Sequence, residues 1–74
     1  MDDLELEAYA SEEASRLLAH DFSFFNPYTC IIEAHDIPFT ERDAFYQKVE
    51  EELLRKGEKI MRHGEFFKIS RYQA

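Results

Sequence analysis

The clearest hydrophobic pattern in this chain lies between Thr40 and Gly64. Apolar residues recur there at spacings of three, four and seven, which is typical of a helix with one apolar face. These residues are Tyr46, Val49, Leu53, Leu54, Ile60 and Met61. Thr40 is a suitable N-cap, and Asp43 follows three residues later, as in a capping box. The pattern predicts a long helix whose apolar face the rest of the chain must cover.

Gly57 leaves two interpretations of the C-terminal half of this helix. A glycine inside a helix costs about 1 kcal/mol relative to alanine, so it is tolerated but unfavourable. In the first interpretation the helix passes through Gly57 and ends at Gly64. In the second it ends at Gly57, residues 58–62 form a short strand, and His63-Gly64 is the turn of a hairpin. Because the apolar spacing continues beyond Gly57, we favour the continuous helix.

The N-terminal segment, residues 3–10, alternates apolar and polar positions, which predicts a strand with one buried face. Its apolar positions are Leu4, Leu6, Ala8 and Ala10. A helix is the alternative, because Leu, Glu and Ala are all good helix formers. Ser11 is a good N-cap, and the apolar spacing after it predicts a short helix that reaches about His20.

Three further extended segments are predicted. Residues 21–25 are short and aromatic, and they end at the turn signal Asn26-Pro27. Residues 28–35 are β-branched and aromatic in their first half, with alternate residues from Tyr28 to Ala34 on the core face. Residues 65–72 alternate in the same way and close the chain.

The predicted order is strand, helix, strand, strand, helix, strand. Two interleaved strand–helix–strand units of this kind give a ferredoxin-like βαββαβ fold, with a four-stranded antiparallel sheet and both helices on one face. The alternative is an N-terminal helix with a three-stranded antiparallel sheet and one long helix. Either way the fold class is α+β, and one sheet face stays open.

Length and composition favour a single small cytoplasmic domain, residues 1–74. The chain has 74 residues, seven Phe, four Tyr and no Trp, so aromatic side chains must supply much of the core. Its single cysteine, Cys30, cannot form an intrachain disulfide, which fits a reducing compartment. We expect no signal peptide and no membrane segment, because no apolar run approaches the roughly 20 residues that span a bilayer.

Negative charge is concentrated at the N-terminus. The net charge is −7, and residues 1–21 hold seven acids against Arg16 alone, whereas residues 41–64 hold six acids and six bases. Direct nucleic-acid binding requires clustered Lys and Arg side chains, which this distribution does not provide. A basic protein is the partner that the charge favours.

No catalytic or metal-binding motif stands out. The chain has no Gly-rich phosphate loop, and its candidate ligands lack the spacing of a zinc site. These candidates are His20, Cys30, His35, Asp36 and His63. A Cys–His dyad would need an exposed Cys30, which the strand pattern instead places on the core face. We therefore expect no enzymatic activity, no metal and no cofactor.

The acids of the predicted first strand suggest a binding surface. Asp3, Glu5 and Glu7 would stand about 7 Å apart on one strand face, close to the spacing of phosphates along a nucleic acid. Ordinary solvated acids are the alternative explanation. The side chains expected to contact a partner are Asp3, Glu5, Glu7, Tyr9, Glu12, Glu13 and Glu33.

In size, acidity and aromatic content the chain resembles the small inhibitors that phages and mobile elements make against nucleic-acid-handling machinery, such as anti-CRISPR and anti-restriction proteins. The resemblance implies a non-enzymatic inhibitor that docks a negative, nucleic-acid-mimicking surface on a basic, nucleic-acid-binding partner. The alternative function is a small structural or regulatory subunit that acts by homodimerisation, through a sheet edge or spare aromatic surface.

Overall fold

The computed structural model describes residues 1–71. In chain order its elements are α1 (Asp3–Leu18), β1 (Tyr28–Ile31), a 3₁₀ turn (Phe39–Glu41), α2 (Arg42–Arg55), β2 (Glu58–His63) and β3 (Phe66–Arg71). The strands form one antiparallel sheet in the order β1-β3-β2. The α+β class is confirmed, and the architecture is that of the alternative prediction. Tyr72, predicted to end the last strand, lies outside the described residues.

The ferredoxin-like order is not formed, because residues 3–10 are helical rather than extended and residues 21–25 form no strand. Asp2 caps α1, since its Oδ1 accepts a hydrogen bond of 2.8 Å from the backbone N–H of Glu5. This Asp-x-x-Glu sequence is a capping-box signal at the very start of the chain. The segment has no β-branched residue, so its helix propensity and its cap outweigh an alternation of only eight residues.

Burial along α1 follows the helical period. Leu4, which the alternation placed beside Leu6, is 78 % exposed, whereas Leu6 is buried. The buried positions of α1 are Leu6, Ala10, Ala14 and Leu17. The two alanines let α1 pack closely against α2, whose own buried face consists of Phe45, Tyr46, Val49 and Leu53. Ser11 therefore lies inside a helix and does not begin one.

The second helix is shorter than predicted at both ends. Thr40 lies in the 3₁₀ turn, and α2 begins at Arg42 without a side-chain cap. At the other end Gly57 adopts a left-handed φ of +87°, and its N–H donates to the carbonyl of Leu54 at 3.0 Å. Gly57 therefore stops the helix in the way glycine commonly does at the position after the C-cap.

The continuous helix through Gly57 was therefore wrong, and the hairpin interpretation was right except that His63 belongs to the strand. Ile60 and Met61 extend the helical spacing only by coincidence, because they lie on opposite faces of β2. Ile60 packs against the core, whereas Met61 is 54 % exposed. The two-residue loop Gly64-Glu65 joins β2 to β3, and only its first residue has a positive φ, as in a type II′ turn.

Replacing Gly57 by alanine should lower the free energy of unfolding by about 1–2 kcal/mol, because an L-residue with a side chain is strained in the left-handed region. The space around Gly57 is open, so strain rather than a clash would cause the loss. Urea denaturation measures it. Gly57→Asn is the matched control, since asparagine tolerates this conformation better, and it should cost less than alanine. Equal stability of wild type and Gly57→Ala would contradict the assignment.

The core lies between the helices and one face of the sheet. Phe67 and Ile69 of the central strand β3 are fully buried there, together with Ile32 after β1. The half-buried Tyr28 and Cys30 point to the same side, as their alternation predicted. On the other sheet face no helix packs within residues 1–71, and Phe24 and Pro27 lie beside Lys59 and Met61 there.

Candidate protein-binding surface

The helical form of residues 3–18 divides the predicted contact residues between two flanks of α1. Glu5, Tyr9, Glu12 and Glu13 recur at spacings of four, seven and eight, so they share one flank. Asp3 and Glu7 are four residues apart on the other flank, where the Glu7 Oε1 lies 3.7 Å from Lys48 Nζ. The strand row of Asp3, Glu5 and Glu7 with phosphate-like spacing was therefore wrong.

The first flank of α1 borders a cleft of about 290 Å³. Its opposite wall is the segment of residues 33–37 that follows β1, and Phe45 of α2 also lines it. Tyr9, Glu12, Glu13 and Glu33 all line this cleft, so the fold brings together four of the seven predicted residues. Glu5 lies one turn before Tyr9 and outside the cleft.

Negative charge dominates the cleft. Its acids are Glu12, Glu13, Glu33 and Asp36, and its bases are Arg16 and His35. Arg16 and Glu13 neutralise one another, because the guanidinium donates to both carboxylate oxygens at 2.6 and 2.8 Å. This hydrogen-bonded contact raises the pKa of Arg16 above its usual value.

Three carboxylates of the cleft remain without a cation. Among residues 1–71, Glu12, Glu33 and Asp36 form no ion pair. They come from two separate segments and stand beside the exposed ring of Tyr9. Carboxylates next to an aromatic ring can bind a guanidinium or ammonium group through charge-assisted hydrogen bonds and cation–π contact. The cleft can therefore accept an Arg or Lys side chain of another protein.

Sequence reasoning missed Arg16, Asp36 and Phe45 as members of this site. Arg16 follows Glu12 by four residues, so the helical period would have placed it on the same flank. Asp36 and Phe45 reach the cleft only through the tertiary fold, and no local pattern marks them.

The candidates for metal and thiol chemistry are dispersed. Within the described part of the chain, no three His, Cys, Asp or Glu side chains are grouped so that they could hold a metal ion. Burial raises the pKa of the Cys30 thiol, which disfavours the reactive thiolate. His20 stacks on Tyr28, its Nε2 lying 3.2 Å from the Tyr28 hydroxyl, while His63 points to the opposite sheet face from Cys30.

The charge of the open sheet face differs from the prediction, which placed acidic side chains there. The argument against a nucleic-acid site there relied on acids of a first strand, and those acids lie on α1 instead. The outward side chains of the three strands are Thr29, Ile31, Lys59, Met61, His63, Phe66, Lys68 and Ser70. Among the residues that the structure describes, this face holds no acid. The molecule therefore carries its negative charge on the helical side.

Comparison with protein-family models, with curated proteins and with solved structures finds no match for this chain. Over residues 1–71, neither helix has the length and apolar character needed to cross a membrane.

Proposed function

We propose that this chain is a non-enzymatic inhibitor that docks its acidic cleft on a basic surface of a protein partner. One observation carries the proposal: Glu12, Glu33 and Asp36 line one cleft with Tyr9, and no cation of the described chain is paired to them. Such a group is well suited to an Arg or Lys side chain of a partner. The proposal includes no catalytic step and no cofactor.

The partner we propose is a nucleic-acid-binding protein. Its exposed Arg and Lys side chains normally bind phosphates, and the carboxylates of the cleft would take their place and exclude DNA or RNA. The net charge of −7 accelerates such an encounter and repels nucleic acid itself. Small phage and mobile-element inhibitors such as anti-CRISPR and anti-restriction proteins offer a model for this mode of action. We further propose a cytoplasmic location, which suits a single reduced cysteine.

The test compares charge reversal inside and outside the cleft. Glu12→Lys combined with Glu33→Lys should weaken the affinity for a basic partner by about 100-fold, because two attractive contacts become repulsive. Asp3→Lys combined with Glu51→Lys is the matched control: it changes the net charge equally at exposed acids away from the cleft. This control should change the affinity much less.

The partner is obtained by capture from a bacterial lysate on immobilised wild-type protein, with elution by salt. The identified protein is then titrated calorimetrically with wild type and both double variants. Circular dichroism establishes that the variants are folded. Equal affinities for the cleft and control variants would refute the proposal, and so would binding that is insensitive to salt.

A further inference from the structure

The strand β2 has one row of backbone groups that are not paired with another strand at the edge of the described sheet. His63 pairs with Phe66 across a two-residue turn, and this register makes alternate residues of β2 exchange hydrogen bonds with β3. Those residues are Lys59, Met61 and His63. The N–H and C=O groups of Glu58, Ile60 and Arg62 therefore point away from the sheet.

These backbone groups are unpaired within residues 1–71, although packing of the domain leaves Glu58 only 8 % exposed. Residues 1–71 form no further backbone hydrogen bond to Glu58, Ile60 or Arg62 from outside the hairpin. The strand pairs one-to-one with β3 along its six residues, without a bulge, and it contains no proline. Bulges and proline, which prevent edge pairing in many proteins, are therefore absent from β2. Charged side chains also prevent it, and β2 carries Glu58, Lys59 and Arg62, so it can pair only with an edge of complementary charge. The other edge strand, β1, is only four residues long.

We propose that β2 pairs antiparallel with β2 of a second copy of this chain, joining two three-stranded sheets into one of six strands. The pairing is centred on Ile60, which faces Ile60 of the partner subunit. Glu58 then faces Arg62 of the partner subunit, and the two-fold axis repeats that pair on the other side. This register satisfies all six outward N–H groups of the two edges.

Side-chain charge favours this register over the registers that are shifted by two residues in either direction. A shift of two residues in one direction sets Lys59 against Lys59 of the partner subunit, which is repulsive. A shift of two in the other direction sets Lys59 against the partner's His63 and leaves Glu58 without its basic neighbour. Only the Ile60-centred register places opposite charges across the interface. The edge is therefore complementary to itself.

Glu58 and Arg62, which would pair across the interface, each already form an ion pair within their own chain. Glu58 accepts a hydrogen bond from Arg71 Nε at 3.2 Å, and Arg62 Nε donates to Glu50 at 3.1 Å. Dimerisation would bring these two pairs together as a row of alternating charge. Ile60, already packed against the core, would gain an apolar neighbour in the same layer. This dimer does not depend on the acidic cleft, whose lining includes no residue of β2.

Sedimentation equilibrium over a range of protein concentrations tests the proposal. Wild type should have twice the mass of one chain, and Ile60→Pro should have the mass of one chain. Proline at this position removes an N–H that β3 does not use, so the hairpin is retained. Ile60→Ala loses the same side chain but keeps the N–H, and it should still dimerise. A wild type that stays monomeric, or an Ile60→Pro that dimerises equally, would overturn the proposal.

Disulfide trapping tests the register in variants that keep Ile60. In a Cys30→Ser background, Lys59 of one copy lies opposite the partner's Met61 in a pair without hydrogen bonds, where the short Cα separation suits a disulfide. Under mild oxidation, Lys59→Cys mixed with Met61→Cys should form a covalent heterodimer, and neither variant alone should cross-link efficiently. Preferential cross-linking of Met61→Cys to itself, or no cross-linking of the mixture, would refute the Ile60-centred pairing.

Discussion

Replacing Phe67 by alanine should lower the free energy of unfolding by about 3–5 kcal/mol, the usual cost of removing a buried phenylalanine ring. Phe67 is fully buried on β3, the only strand that pairs on both sides in the described sheet. A domain of 74 residues has a total stability of about 4–11 kcal/mol, at roughly 0.05–0.15 kcal/mol per residue. The variant should therefore retain little stable structure.

The neighbouring residue supplies the control for this prediction. Phe66 is on the same strand but on the open face, where it is 43 % exposed. Phe66→Ala should cost less than about 1 kcal/mol, since surface changes of this kind rarely cost more. Urea denaturation followed by circular dichroism compares the two variants. Similar losses of unfolding free energy in the two variants would contradict the assignment of Phe67 to the core face and Phe66 to the open face.

Replacing Arg71 by alanine should cost about 1–3 kcal/mol, because a buried carboxylate would lose its partner. Arg71 Nε donates to Glu58, which is 8 % exposed, and Arg71 Nη1 donates to the carbonyl of Phe22 at 3.1 Å. The guanidinium also lies 4.3 Å from the centre of the Phe22 ring. The side chain of Arg71 is itself about half exposed, so water reduces the loss below that of a fully buried pair.

Two comparisons separate this effect from a general loss of positive charge. Arg55→Ala removes a guanidinium whose contact with Glu52 is on the surface, and it should cost less than about 0.5 kcal/mol. Glu58→Gln combined with Arg71→Ala should regain part of the stability, because the unpaired charge is gone. Thermal or urea denaturation measures all of these variants. An Arg71→Ala protein as stable as Arg55→Ala would show that the buried pair contributes nothing.

The strands β1 and β3 and their buried faces were predictable because their patterns are local, although β1 ends at Ile31 rather than at residue 35. In the closing strand, the alternation of Phe67 and Ile69 with Phe66 and Lys68 directly predicted which side is buried. Two of the errors came from patterns that fit both the helical and the strand period. Residues 3–10 alternate by chance while having the composition of a helix. Beyond Gly57 the apolar spacing suited a helix, yet a positive φ at that glycine ended it.

The sequence predicted several residues of the candidate site correctly, but it did not predict how they are arranged. Tyr9, Glu12 and Glu13 stay together because a helix preserves their spacing. Glu33 joins them only because the segment after β1 turns towards α1, and that approach depends on the packing of the whole domain. Asp3 and Glu7 were assigned to the same surface by an incorrect strand and lie on the other flank of α1.

The order of the strands in the sheet also has a consequence for how the domain folds. The strands β2 and β3 are adjacent in sequence and meet across two residues, so their hairpin can form with little loop-closure entropy. The strand β1 pairs with the same central strand across roughly 40 residues that include α2, so closing this connection costs more entropy. Assembly should therefore proceed outward from the C-terminal hairpin. Pairing of β1 with β3 would then be the slow step, and it would complete the core.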